Sequence, residues 1–234
     1  GSEAVMNGGK ITAEYGAILI YSNNDVRGTF TMNGGEMVTK MPAIYANGSD
    51  QWDDVDVTIN DGKITSETAA IYWPAAGKLT INGGELTGKT AVYVKSGALE
   101  ITGGTLTATS DKVEYAYVTS SFKLTGDALV IENVGGTSGY QAVESVIISG
   151  GTFISENASA VASYAPEDAT AVTGFISGGT FSSDVSALCA EGYGPVYDQE
   201  SGTYTVHEHS YTPTVNGPTC TEPGVKTYTC GTCG

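Results

Sequence analysis

The stretch Leu79–Leu106, LTINGGELTGKTAVYVKSGALEITGGTL, decides the fold. It holds one structural unit and the opening of the next: LTINGG returns as LEITGG, and a short polar–apolar run follows each copy. The same phrase recurs along the chain as MNGGKI, TMNGGEM, TINDGKI, IISGGTF and FISGGTF. Its doubled turn falls at Gly8-Gly9, Gly34-Gly35, Asp61-Gly62, Gly83-Gly84, Gly103-Gly104, Gly150-Gly151 and Gly178-Gly179. Successive separations are 26, 27, 22, 20, 47 and 28 residues, and the longest is read as two units with a degenerate turn near Gly135-Gly136. A period of this length marks a solenoid, in which each unit stacks on its neighbours.

Within a unit the period is two. Leu79-Thr80-Ile81 and Leu99-Glu100-Ile101 alternate apolar and polar residues, as half-buried strands do. Asn-Gly-Gly, Thr-Gly-Gly or Ser-Gly-Gly then supplies the positive φ of a sharp turn. A second short strand follows, such as Glu85-Leu86-Thr87, and a third carries Ala43-Ile44-Tyr45, Ala70-Ile71-Tyr72 or Ala91-Val92-Tyr93, with Ile20-Tyr21 as a looser copy. Three strands and three turns per unit predict an all-β, single-stranded, right-handed parallel β-helix of about seven to nine coils. Leucine-rich repeats need several Leu and an Asn at fixed spacing, and the Ca²⁺-binding nonapeptide repeat needs Gly-Gly-x-Gly-x-Asp; both are absent. Stacking then places apolar residues over apolar residues in continuous columns, and insertions fall at turns: Asn23–Thr29, Gly48–Asp54, Thr109–Ser121 and Ala165–Thr170.

Composition limits what such a solenoid meets. Gly is 32 of 234 residues, without the three-residue period of collagen, and 40% apolar residues exclude a disordered chain. Ten Lys and Arg face 26 carboxylates for a net charge of −16, so phosphate backbones are repelled and nucleic acid is excluded as a partner. The apolar runs are too short to span a membrane. Gly1-Ser2 reads as a scar of tag removal, and the β-helix is expected over residues 3–206. From about Gly192, Tyr193–Asp198 and Gly202–Val206 read as a closing hairpin-like cap. Residues 207–234 form a short appendix with two His, three Cys and three Pro.

The Ser-Gly-Gly-Thr-Phe copies, the run from Phe181-Ser182-Ser183-Asp184 through Cys189–Tyr193 to Gly202–Val206, and the tail from His209 through Cys220 to Cys230-Gly-Thr-Cys233 resemble the β-helix repeat regions, with trailing Cys/His repeats, of large surface proteins of gut Gram-positive anaerobes. The resemblance covers nearly the whole chain and implies a secreted or wall-attached, adhesin-like or carbohydrate-binding protein. Its partner would be an extracellular polysaccharide or host glycan, or alternatively a host protein held by a stalk.

Three constellations could carry chemistry. Tyr21, Tyr45, Tyr72 and Tyr93 occupy equivalent places in four coils; if the preceding Ile or Val points inward, each Tyr points outward, and with Trp73 and Trp52 they form a strip on which sugar rings could stack. The open alternative is that these rings point inward with the Ala, or stack only to fill a lateral face. Asp53, Asp54 and Asp56 could supply hard oxygens to Ca²⁺, or simply form a solvated acidic insertion. His209, Cys220, Cys230 and Cys233 (with His207 upstream) have ligands enough for tetrahedral zinc; a disulfide at Cys220, or a disordered tail, competes with that reading. Catalysis is disfavoured. The Gly-His-Gly and Arg-x-Lys patterns of polygalacturonase-like hydrolases are missing, and Arg27 is the only Arg for a lyase base. A divergent lyase or hydrolase with an unfamiliar carboxylate pair stays open.

Overall fold

The computed structural model describes residues 1–20, 28–46, 55–118, 121–135, 140–221 and 223–232. The chain is all-β with parallel sheets, an arrangement compatible with a β-helix solenoid. Each unit gives one strand to each of three sheets before the next unit repeats the circuit. Lys78–Ile81, Glu85–Gly88 and Thr90–Val94 make one circuit; Gly97–Ile101, Thr105–Ala108 and Leu129–Glu132 make the next. Six parallel strands build the first sheet, and a parallel bridge from Ile148 to Ile176 adds a seventh level.

Period-two alternation builds the core by stacking like on like. Met32, Ile59, Ile81, Ile101 and Ile148 lie in register in the first sheet. Met37, Ile64, Leu86, Leu106, Phe153 and Phe181 do so in the second. Ile44, Ile71, Val92, Leu129 and Val161 do so in the third. All of these join one apolar cluster fed by the three sheets. Parallel strands stacked this way bury nearly every inward side chain, at about 1.5–3 kcal/mol for each large apolar residue.

The corner between the first and second sheets is three residues long in every coil, from Asn7–Gly9 to Ser177–Gly179. Two physical demands fix its Gly pair. Gly104 has φ +87°, and a Cβ at Gly103 would sit 2.4 Å from the Asn82 carbonyl oxygen of the coil beside it. The preceding position makes a ladder outside the core: Asn33 Nδ2 donates to Asn7 Oδ1, Asn60 to Asn33 and Asn82 to Asn60 at 2.8–2.9 Å, and Thr102 Oγ1 donates to Asn82 Oδ1.

The other corners absorb the described insertions, 109–121 and 165–170, while Asn23–Thr29 and Gly48–Asp54 lie largely outside the described residues. The separation of 47 residues holds one coil, not two: Thr105–Ala108 pairs directly with Thr152–Ser155, and the extra length is residues 109–128 and 133–142. Gly135 does adopt φ +64°, but no coil turns there. A turn residue without the following period-two strand carries no coil, which is why the degenerate turn misled.

At the far end Thr203–Glu208 joins Thr180–Phe181 antiparallel and pairs with Tyr193–Asp198, so parallel stacking stops at a hairpin. Val206 plugs the core from this cap. Such a hairpin blunts an otherwise sticky sheet edge. Beyond it, Tyr211–Asn216 and Val225–Cys230 form a separate two-stranded hairpin. At the other end the first strand begins at Ser2, which pairs with Gly28. No helix among the described residues is long and apolar enough to cross a membrane.

Candidate functional site

The tyrosine column exists in part, and it is roofed. Tyr45, Tyr72 and Tyr93 lie in register on adjacent strands of the third sheet. Ile71, Val92 and Val94 belong to the core cluster while Tyr72 and Tyr93 do not, so alternation turns these rings away from the core. Leu19, not residue 21, takes the place beside Tyr45; Tyr21 lies outside the described residues, as does Trp52. Trp73 is a correction: it is fully buried within the core cluster, because it stands two residues from Ile71 on the inward face.

Tyr72 and Tyr93 are a second correction, since neither offers an open stacking surface. The insertion 109–128 folds back over the third sheet and lays Phe122 on Tyr72, with ring centroids 4.3 Å apart, and 5.5 Å from Tyr93. Tyr93 is fully buried. Both hydroxyls are buried and make no hydrogen bond of ordinary geometry, although Tyr72's lies near Tyr140 and Tyr93's near Glu132. Burial foremost, then these neighbours, pushes both phenols well above the usual tyrosine range. Tyr45 remains half-buried and packs where Gly16 leaves room: a Cβ there would lie 2.2 Å from its ring.

What holds the roof down is a charge pair that the sequence did not single out. Lys95 and Glu132 are both buried, with Nζ 3.2 Å from Oε2. Lys95 Nζ also donates to the carbonyls of Val118 at 2.5 Å and Ser121 at 2.7 Å, so two of its three protons find backbone acceptors while Glu132 supplies the counter-charge. The ammonium lies 5.2 Å from the Tyr117 ring centroid and 4.9 Å from that of Tyr140. Tyr115 Oη donates to Glu132 Oε1 at 2.8 Å, and its ring stacks on Tyr164 at 4.3 Å with a 5° interplanar angle. Tyr164 in turn donates to Asp127 at 2.8 Å. Burial first, then bonding to these carboxylates, raises the pKa of Tyr115 and Tyr164. The available signal was a charged residue ending each apolar strand, Lys95 after Thr90–Val94 and Glu132 after Leu129-Val130-Ile131.

Above this network the two predicted insertions 109–121 and 165–170 face one another. They enclose a cleft of about 550 Å³, with Tyr115, Ala116 and Tyr117 on one wall and Ala165, Pro166, Glu167 and Asp168 on the other. Tyr115 and Tyr117 are half-exposed, while Glu167 and Asp168 are exposed. A second hollow, of about 280 Å³, lies at the N-terminal end and is lined by Ile18, Ile20 and Phe30 together with Ser2, Glu3 and Thr29.

Of the acidic constellation only Asp56 falls among the described residues. Asp53 and Asp54 lie outside the described residues, whereas Asp56 sits in the strand Val55–Ile59, half-buried and in register between Thr29 and Lys78. In the tail, His207, His209 and Cys230 converge with their ligand atoms within 4.8 Å of one another. Cys230 Sγ is 3.8 Å from His207 Nε2. Cys220 is exposed and outside this group, and Cys233 lies outside the described residues. The grouping thus replaces Cys220 with His207. His207 and His209, two residues apart at the end of the cap strand, both reach Cys230, with Glu208 exposed between them. Donors of this kind, one thiol and two imidazoles, suit zinc rather than an oxygen-seeking cation.

Compared with protein-family models, with curated proteins and with solved structures, the chain matches none.

Proposed function

We propose that the three sheets close into a right-handed parallel β-helix that serves as a non-catalytic, secreted or wall-attached surface module, and that the cleft between residues 115–117 and 165–168 binds an extended glycan. Right-handed crossovers are the rule for successive parallel strands of one sheet, which supports the handedness. The observation that carries the binding reading is Tyr115. Its ring is stacked on Tyr164 and pinned by Glu132, yet it still lines an open cleft whose other wall carries two carboxylates. A half-exposed aromatic that cannot rotate away loses little entropy when a flat sugar face packs on it, and nearby carboxylates accept from hydroxyls. The non-catalytic reading is supported by the placement of Glu167 and Asp168, which are successive residues of one wall, whereas glycosidic cleavage needs carboxyl groups flanking the bond.

The test is a retention and turnover screen on mucin, host and plant polysaccharides, with and without Ca²⁺. Retention without product, weakened at least tenfold by Tyr117→Ala with Asp168→Ala and unaltered by Tyr45→Ala, is the expected result. Released product would replace the binding reading with a lyase or hydrolase. No retention on any glycan would favour the stalk or protein-binding adhesin, for which the ladder from Asn7 to Thr102 is the supporting observation.

A further inference from the structure

We propose that His207, His209 and Cys230 bind one divalent transition ion, zinc by the chemistry of its donors, and that this ion clasps the terminal hairpin to the cap. The terminal hairpin Tyr211–Asn216/Val225–Cys230 has no core of its own: every residue of its two strands is exposed except Cys230, which is 3% exposed. A two-stranded hairpin of that kind is marginal in water unless something else holds it. Its single buried side chain is a sulfur, and that sulfur faces two imidazoles from the end of the cap strand. With bonds of about 2.3 Å to sulfur and 2.0 Å to nitrogen, tetrahedral zinc sets its sulfur and nitrogen ligands about 3.5 Å apart. Cys230 Sγ and His207 Nε2 stand at 3.8 Å, so a shift of a few tenths of an ångström completes that edge.

Two further features of the surroundings fit an ion. His207 Nδ1 is buried without a hydrogen-bond partner, so hydrogen bonding through that nitrogen does not account for the ring's placement. His209 occupies space that only a residue without a side chain leaves open: a Cβ at Gly194 would lie 2.6 Å from its Nε2. Binding replaces the thiol proton of Cys230 with the metal and releases that proton to solvent, and both imidazoles ligate in the neutral form. Affinity therefore falls as pH drops.

The experiment uses the whole chain, kept reduced with a phosphine, and titrates zinc against a chromophoric chelator. Thermal unfolding and exchange protection of the terminal hairpin are followed in parallel. The expected result is one zinc per chain, greater protection of residues 211–230 when loaded, and affinity at least tenfold weaker for His207→Ala and Cys230→Ser but unchanged for Cys220→Ser. Gly194→Ala keeps all three donors and displaces His209, so it must also weaken binding even if Cys230→Ser loosens the hairpin by itself. Absence of stoichiometric zinc overturns the site. So does equal loss in Cys220→Ser, or unchanged affinity in both His207→Ala and Gly194→Ala.

Discussion

Two ion pairs of the same chemistry sit on neighbouring parts of this molecule in opposite surroundings. Lys78–Glu100 lies on the open outer face of the first sheet, with both side chains substantially exposed. Lys95–Glu132 lies beneath the insertion 109–128 on the third sheet, with both side chains essentially fully buried. The first is one of several cross-coil pairs, including Lys10–Glu36 and Lys63–Glu85, that follow from stacking alike units. The second exists only because a long insertion returned to cover its own scaffold. One flank is therefore repetitive and wet, the other singular and dry, and a cleft opens above the dry one.

The comparison breaks most readily at the buried pair. Lys95→Ala or Glu132→Ala leaves one uncompensated buried charge and is expected to cost about 3–5 kcal/mol in denaturant unfolding. Replacing both, as Lys95→Met with Glu132→Leu, should recover much of that loss. Equal losses from the buried and exposed pairs would show that water reaches both.

Alkaline pH probes the same roof through its phenols. The folded-state pKa values of Tyr72, Tyr93, Tyr115 and Tyr164 are raised above the unfolded value. Their contribution is thus complete below about pH 10 and is lost as pH climbs from there toward the folded values. Four of the 14 tyrosines should lag in a tyrosinate absorbance titration and ionise as the roof opens. Ionisation of all 14 together near the ordinary value, with structure retained, would mean that the covering is loose.

Smaller effects belong to the repetitive flank. Gly104→Ala forces a side chain into φ +87° and should cost about 1–2 kcal/mol. Asn60→Ala interrupts the ladder on both sides, at about 0.5–1.5 kcal/mol per hydrogen bond and toward the lower end because the site is exposed. Lys78→Ala should change stability by no more than about 1 kcal/mol, and by less at high salt.

The repeat was legible because its information is local. Alternation within Lys78–Ile81 and Gly97–Ile101 tells which side chains face inward, and the doubled turn between Gly83 and Gly104 tells where the chain changes sheet. The three-residue corner keeps its length in every coil, so its spacing survives even where the rest of a unit drifts. The separation of 47 residues was misread because length alone does not distinguish a second coil from an insertion. Only the direct pairing of Thr105 with Thr152 settles that. In the tail, spacing favoured Cys220, yet the strand end brings His207 to Cys230 and leaves Cys220 in solvent.

The sequence by itself determined an all-β chain of stacked parallel strands, the residues that line its apolar columns, and the corners at which the insertions 109–121 and 165–170 leave it. Each of these follows from a period of two and from backbone demands satisfied within a few residues. Only the tertiary structure decided that the outward tyrosines are covered by Phe122, that Lys95 meets Glu132, that Tyr115 stacks on Tyr164, and that two insertions face each other across a cleft. Those are contacts between segments distant in the chain. An insertion has no repeating pattern from which its landing place can be read, and burial of charge and aromatic surface chooses it only once the stacked coils exist to be covered.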